Sequence, residues 1–552
     1  MQTRALFITA LLAGCGDDVA SETDPSTPST SSTSSTSSTS SPPDPTTGTT
    51  TPPIPTTTAP DETSSSSTGP AVSASSSSST TGDPDLTTST SDTTDSTTTS
   101  TTTTSETTSE TTTTGVFLGC QEPTDSDTAA DPTAWSRQVS TDISTLDARH
   151  MEVDHTGAVI LSDIFYGLID LGGAQLDGTG ESTHHFLVKY DATGAHDWSL
   201  DFGGLSTGFE EYDLAVDCAG NLFLAGSFYG PMTIDGVTLE ATFGTVQQGD
   251  IIDATTDILV AKFTPGGQLV WARSFGDKQY QRAHDLVTTD AGGIVLAGAL
   301  KGTLEIDGAV IVADDSYDGL LLELDDEGEY RGHRSFAAPA DVAMQVIERS
   351  ASGQLTVLGN AADGVDFGGG PLPAGPNYLY IAQFEQNGDH RWSLRGPDQF
   401  VLGVASDDDA AVYLVGNKSK TAILTRYDPT GAITWTRTGP STHSAIPYDI
   451  GVTGTTIAIA GTFRYSIDFG DGNAFSSNTG NNDMFLVRYA TDGALLSASQ
   501  VVSGDKARPR RVRVGPDGET VVAGYFEGTL DLPTGQLVPV GTEDIFVHRA
   551  TP

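Results

Sequence analysis

Cysteine is nearly absent from this chain: there are three in 552 residues, Cys15, Cys120 and Cys218. That excludes a disulfide-dense scaffold and a multi-cysteine zinc site. Basic residues are also scarce, 26 Lys and Arg against 73 Asp and Glu, for a net charge of -47. Such a surface repels nucleic acid and anionic headgroups, so nucleic acid is not expected as a partner. The charge keeps the protein soluble, and the sharper reading of it is a cation-rich partner or weak surface Ca²⁺ binding. Beyond the N-terminus no segment has the length and apolarity of a transmembrane helix. No long stretch carries a 3.6-residue hydrophobic period. No H-E-x-x-H, P-loop or paired-Cys motif occurs, and no catalytic residue, metal ligand or cofactor site is assigned. Acids, histidines and hydroxyls remain plentiful, which leaves a triad assembled in space open.

What is present divides the chain by composition. Residues 16–114 are dominated by Ser and Thr, and too few are apolar to offset the entropy of ordering. This segment is expected to be a disordered stalk, with a root-mean-square span of about 55 Å. Residues 115–134 connect it to a globular part at 135–552. Thirteen of the acids and one base lie at or before Thr114, which leaves 60 acids against 25 bases and a globular charge near -35. A globular part this long exceeds one ordinary core, whereas a repeat array escapes that limit because each unit packs only on its neighbours.

The first fifteen residues read as an address. Met1 to Arg4 carry one positive charge, Ala5 to Leu12 (ALFITALL) are apolar, and Leu12-Ala13-Gly14-Cys15 follows. This resembles the bacterial lipobox. The resemblance implies cleavage before Cys15 and lipidation of its thiol, with the membrane reached through that lipid alone. Gly16 after the cysteine does not signal inner-membrane retention, so an outer-membrane or cell-surface location is expected. Cys120 and Cys218 are then left as a pair. An oxidising compartment would join them as a disulfide closing a loop of about 98 residues; the other reading is two buried thiols.

The tryptophans expose a repeat. Trp198, Trp271, Trp392 and Trp435 each lie four residues after a turn glycine: Gly194, Gly267, Gly388 and Gly431. Before each glycine runs a strand-like segment such as Phe186-Leu-Val-Lys-Tyr190 or Ile258-Leu-Val-Ala-Lys-Phe263. Two further copies place Gly332 and Ser497 in the Trp slot, and successive slots are 73, 61, 60, 43 and 62 residues apart. A second pair of short β-branched runs follows each copy, as in Tyr212-Asp-Leu-Ala-Val-Asp217 and Asn221-Leu-Phe-Leu-Ala-Gly226. Four strands per unit predict an all-β fold, a β-propeller of four-stranded blades. Blades starting near Arg149, Tyr212, His284, Gln345, Gly403, Tyr448 and Arg510 give seven; the short fifth copy is where a miscount would enter. Trp135-Ser-Arg-Gln-Val139 reads as a fourth strand lacking a third, and Asp544-Ile-Phe-Val-His548 as a third lacking a fourth. Pairing them would close the ring and remove its open edge, so a monomer is expected.

The string DILVAKFTPGGQLVWARSFGD (Asp257 to Asp277), with AHDLVTTDAGGIVLAGALKGTLEIDG (Ala283 to Gly308), resembles the SBBP-type β-propeller repeats of bacterial secreted and surface proteins. The resemblance covers about residues 135–549 and implies fold far more than function. Asp191-Ala-Thr-Gly194 before Trp198, and Asp428-Pro-Thr-Gly431 before Trp435, resemble more weakly the tryptophan-docking motif of quinoprotein-like propellers. That likeness implies that Trp135, Trp198, Trp271, Trp392 and Trp435 pack between blades, without implying a quinone.

Asp213, Asp285 and Asp449 share one repeat position at the start of a blade's first strand, with His150 and Arg511 in the same slot. They read either as a polar ring at a channel mouth or as carboxylates that accept backbone N–H bonds and lock blades together. The connections between second and third strands are the most individual parts, and Gly230 to Asp257, the longest, is a candidate partner-binding edge. His184 and His185, adjacent in a strand, would face opposite ways. The turns Asp325-Asp-Glu-Gly328 and Asp407-Asp-Asp409 lack EF-hand spacing. These features point to a non-enzymatic surface or outer-membrane lipoprotein whose propeller binds a protein or glycan. The alternatives are a polymer-degrading hydrolase or lyase at the channel mouth and a periplasmic envelope-assembly scaffold.

Overall fold

The computed structural model describes residues 133–552, apart from 142–146, 180–183, 204–207, 243–244, 249–250, 376–377, 471, 473 and 478–480. Cys15, the stretch 16–114, Cys120 and the connector up to residue 132 lie outside the described residues. Every regular element among those described is a strand. The strands form seven antiparallel blades of a β-propeller. Blade 1 runs His150–Val153, Val159–Phe165, His184–Tyr190 and His196–Gly203. The innermost strands of blades 2 to 7 are Gly208–Val216, Gln281–Thr288, Val342–Arg349, Phe400–Ser406, Ser444–Thr453 and Lys506–Val514. Second and third strands are apolar on both faces because each blade is covered on both sides; Leu222–Tyr229 and Asp257–Phe263 are buried almost throughout. The fifth copy is a complete blade. Its 43-residue spacing arises because Val412–Lys418 passes into Thr421–Tyr427 through a tight turn, without the long connection found elsewhere.

The ring closes as the terminal runs predict. Trp135–Thr141 pairs antiparallel with Asp544–Ala550, from Trp135 opposite Arg549 to Val139 opposite Ile545. Gln138 Nε2 and Ser140 Oγ both donate to Asp544 Oδ2, at 2.6 and 2.7 Å. Arg549 carries the closure on into blade 1. Its guanidinium pairs with buried Glu519 at 2.8 Å and donates to the carbonyls of Gly157 and Ala192, each at 2.9 Å.

A turn-docking device joins successive blades. In blade 1 Asp191 Oδ1 accepts the N–H groups of Thr193 and Ala195, and Gly194 takes φ +79°. A Cβ on Gly194 would strike the Trp135 ring, whose Nε1–H donates to Ala192 O at 3.1 Å. Trp198 sits likewise on Gly267 and bonds Pro265 O, Trp271 sits on Gly328 and bonds Asp326 O, and Trp392 sits on Gly431. The outer strands of blades 7, 1, 2 and 4 thus each cap the third-to-fourth turn of the next blade with a tryptophan. Trp435 departs from this pattern: Arg437 lies over its ring at 5.2 Å and takes the place against Gly493. Arg334 does the same against Gly388, where the Trp slot holds Gly332. Ser497 has no such turn to cap, because blade 7 takes its third and fourth strands from opposite ends of the domain.

The second-to-third connections prove less individual than their sequences suggest. In blade 1 a hairpin, Gly167–Asp170 with Leu176–Gly178, pairs onto Trp135–Thr141 of blade 7. Pro231–Ile234 with Val237–Glu240 pairs onto the outer strand of blade 1, and Leu530–Leu532 with Gly535–Leu537 onto that of blade 6. The front of Gly230 to Asp257 is therefore an inter-blade clasp. A second hairpin, Thr245–Gln248 with Ile251–Ala254, follows it.

Candidate functional site

The seven innermost strands bring their unburied faces together around the channel. Most of them carry a β-bulge near the start, which re-aims the following residue. Past the bulge the slot holds His150, Asp213, Asp285, Val346, Gly403, Asp449 and Arg511 in blade order. Each is opposite the corresponding residue of the second strand, as Asp213 is opposite Ala225 and Asp285 opposite Ala297. The next residue along is core: Met151, Leu214, Leu286, Ile347, Val404, Ile450 and Val512 are all buried.

The carboxylates of this ring act in two ways. Asp285 Oδ2 accepts the N–H of Ile347 in blade 4 at 2.8 Å, and Asp449 Oδ2 accepts that of Val512 in blade 7 at 2.8 Å. Those two lock neighbouring blades. Asp213 instead turns back to blade 1, where its Oδ1 lies 3.1 Å from His150 Nδ1 and also accepts Leu214 N–H at 2.8 Å. Burial alone would raise the Asp213 carboxyl. The bond and charge of His150, with Arg511, outweigh it and hold the group down at about 2. Burial lowers His150 below its usual range against the pull of Asp213. A neutral imidazole with its proton on Nδ1 fits this contact, and its ring lies 4.1 Å from that of Tyr212.

Two residues further along lies a second polar tier that the repeat slot did not reveal. Arg513 donates to Glu152 of blade 1 through Nη2 at 2.8 Å and to Asp449 of blade 6 through Nη1 at 3.1 Å, so one guanidinium joins three blades. Glu348 of blade 4 completes the tier. Burial, with the like charges of Glu152, Asp449 and Asp213, pushes its carboxyl up to about 8 despite Arg513. Asp285 is likewise raised, first by burial and then by Asp213. Continuing the strand alternation from Arg511 to Arg513 and from His150 to Glu152 would have found two of the three. Glu348 was hidden because its blade carries Val346 in the conspicuous slot.

The remaining sequence candidates separate. His185 is buried and stacks on Phe202 at 5.1 Å, while His184 faces Asp201 at 3.4 Å, so the two do not share a site. Asp325 Oδ1 accepts the N–H groups of Glu327 and Glu329, and Asp326 pairs with Lys262. Asp407 accepts from Asp409 N, Ala411 N and the Tyr413 hydroxyl. These carboxylates build turns. Among the described residues no group of three or more His, Cys, Asp or Glu is placed to hold a metal ion. No helix there is long and apolar enough to cross a membrane. Cys218 is disulfide-bonded, and Cys120 lies outside the described residues. A separate cavity of about 450 Å³ opens where blades 7 and 1 meet, lined by Arg137, Asp170, Tyr190 and His196 among others. It contains none of the channel residues.

No family model and no curated protein matches the chain. Several solved structures do resemble it. Virginiamycin B lyase from Staphylococcus aureus, crystallised with quinupristin, is 12% identical over 75% of this chain and 99% of that one, with a TM-score of 0.38. The Pan2 WD40 domain of Neurospora crassa is 9% identical over 63% and 90%, with a TM-score of 0.33. A puromycin hydrolase complexed with PGG is 11% identical over 70% and 59%, with a TM-score of 0.31. At this distance no activity carries over to this chain.

Proposed function

We propose that the chain is a non-enzymatic lipoprotein of the outer membrane or cell surface, anchored through Cys15, whose propeller binds a protein or glycan partner. The SBBP-type repeat resemblance and the lipobox support the address. The observation that carries the binding reading is the channel itself. A scaffold of seven similar blades is broken there by blade-specific polar residues, His150, Glu152, Glu348, Arg511 and Arg513, on rigid strands. The test is affinity capture by the full chain from fractionated envelope extracts. A protein or polysaccharide retained in stoichiometric amount is expected; retention of nothing would overturn the reading. Protease shaving of intact cells tests the address, since a propeller released from the surface excludes a purely periplasmic scaffold.

One observation favours an enzyme instead. The Asp213–His150 pair is an imidazole oriented by a carboxylate, the arrangement of a general base. On that reading, turnover of a glycan or ester substrate would fall at least about a hundredfold in His150→Gln. No turnover across a broad panel removes it.

A further inference from the structure

Charge is unevenly shared among the innermost strands. Lys506–Val514, of blade 7, carries five of the chain's 26 basic residues. Ala507, Pro509, Val512 and Val514 are buried, and the bulge between Pro509 and Arg511 shifts the alternation once. All five cations consequently share the strand's less buried face. Arg513 is held by Glu152 and Asp449, Arg510 by Asp147 and Lys506 by Glu527. Arg511 differs. It donates to Arg510 O at 3.3 Å, and no carboxylate among the described residues forms an ion pair with it.

Towards its start the same strand meets aromatic rings. The Arg508 guanidinium lies 5.3 Å from the Tyr448 ring and 5.9 Å from that of Tyr525. Phe400 occupies on blade 5 the register that Arg508 occupies on blade 7: each pairs one residue beyond the glycine of its second strand, Gly416 or Gly524. Phe400 is 77% exposed at the start of its strand. Blades 5, 6 and 7 are neighbours, so Phe400, Tyr448, Arg508 and Arg511 lie along one arc of the mouth.

We propose that this arc binds an acidic polysaccharide, a uronate-bearing chain whose carboxylates meet Arg511 and whose sugar C–H face lies on Phe400. The proposal rests on the partner-binding reading above and gives that partner a chemistry. A protein face would need roughly 800 Å² of contact. An acidic peptide chain would satisfy Arg511 but offers no apolar face for Phe400. A uronate residue offers both, and guanidinium–carboxylate contacts supply the orientation.

The test is calorimetric titration of the full chain with oligogalacturonate, beside a neutral oligosaccharide of equal length and a polyglutamate peptide. Saturable oligogalacturonate binding is expected, weakening with salt and about tenfold weaker in Arg511→Gln and in Phe400→Ala. The neutral sugar should not bind. Phe400 is outside the core, so its variant retains the fold, which circular dichroism checks. Absence of oligogalacturonate binding, polyglutamate binding of equal strength, or affinity unchanged in both variants would each overturn the proposal. Capture of some other partner would then leave the partner-binding reading standing, whereas capture of none would end both.

Discussion

At the scale of single residues, Glu348 and Gly194 show which physical effects dominate. Glu348 titrates at about 8 in the folded chain against an ordinary 4.5. A carboxyl raised on folding contributes stability below its unfolded pKa and loses it as pH rises through the folded value. Glu348→Gln does not titrate, so its advantage over the parent should be absent near pH 4, grow to about pH 8 and then level off. Allowing for channel water, the plateau should be about 1–2 kcal/mol. Urea unfolding at several pH values measures it, and a pH-independent difference would contradict the assignment. Gly194 and Gly236 share φ +79°, but an added Cβ meets the Trp135 ring at the first and nothing at the second. Gly236→Ala should cost about 1 kcal/mol for backbone strain, and Gly194→Ala about 3 kcal/mol because the indole must also move. Equal losses would show that the turn, not the indole, sets the requirement.

At the scale of elements, the terminal strand and the turn caps hold the ring. Trp135→Ala removes an indole packed between blades at the closure, and a loss of about 3–5 kcal/mol is expected. Trp435→Ala should cost clearly less, because Arg437 and not Trp435 meets the next blade's turn. Thermal or urea unfolding of the two variants compares them directly. The sequence made the strands and their closure legible, because alternation, turn glycines and tryptophans recur at a common spacing. It did not reveal that Arg334 and Arg437 fill the tryptophan's place, since residues of different chemistry can cap one turn. Nor did it show that the most variable connections are partly hairpins clasping the preceding blade. Their lengths and side chains differ, while the device they share is a backbone ladder, which side-chain patterns do not record.

For the whole molecule, closure leaves the channel as the place where blades stop being alike. The repeat slot pointed to His150, Asp213, Asp285, Asp449 and Arg511, and the structure divides them between two jobs. Asp285 and Asp449 join blades through backbone bonds; His150, Asp213 and Arg511 form polar features specific to their blades. A strongly acidic protein that gathers five cations on one innermost strand shares its charge unevenly, and the proposed binding of anionic groups rests on Arg511 of that strand. Binding at the channel mouth is tested by titrating a panel of envelope glycans and proteins against the full chain and against a Phe400→Ala, Arg511→Gln double variant. At least one saturable ligand is expected for the parent, with affinity reduced about a hundredfold in the variant while its unfolding curve is retained. A parent that binds nothing, or a ligand held equally by both, would contradict it.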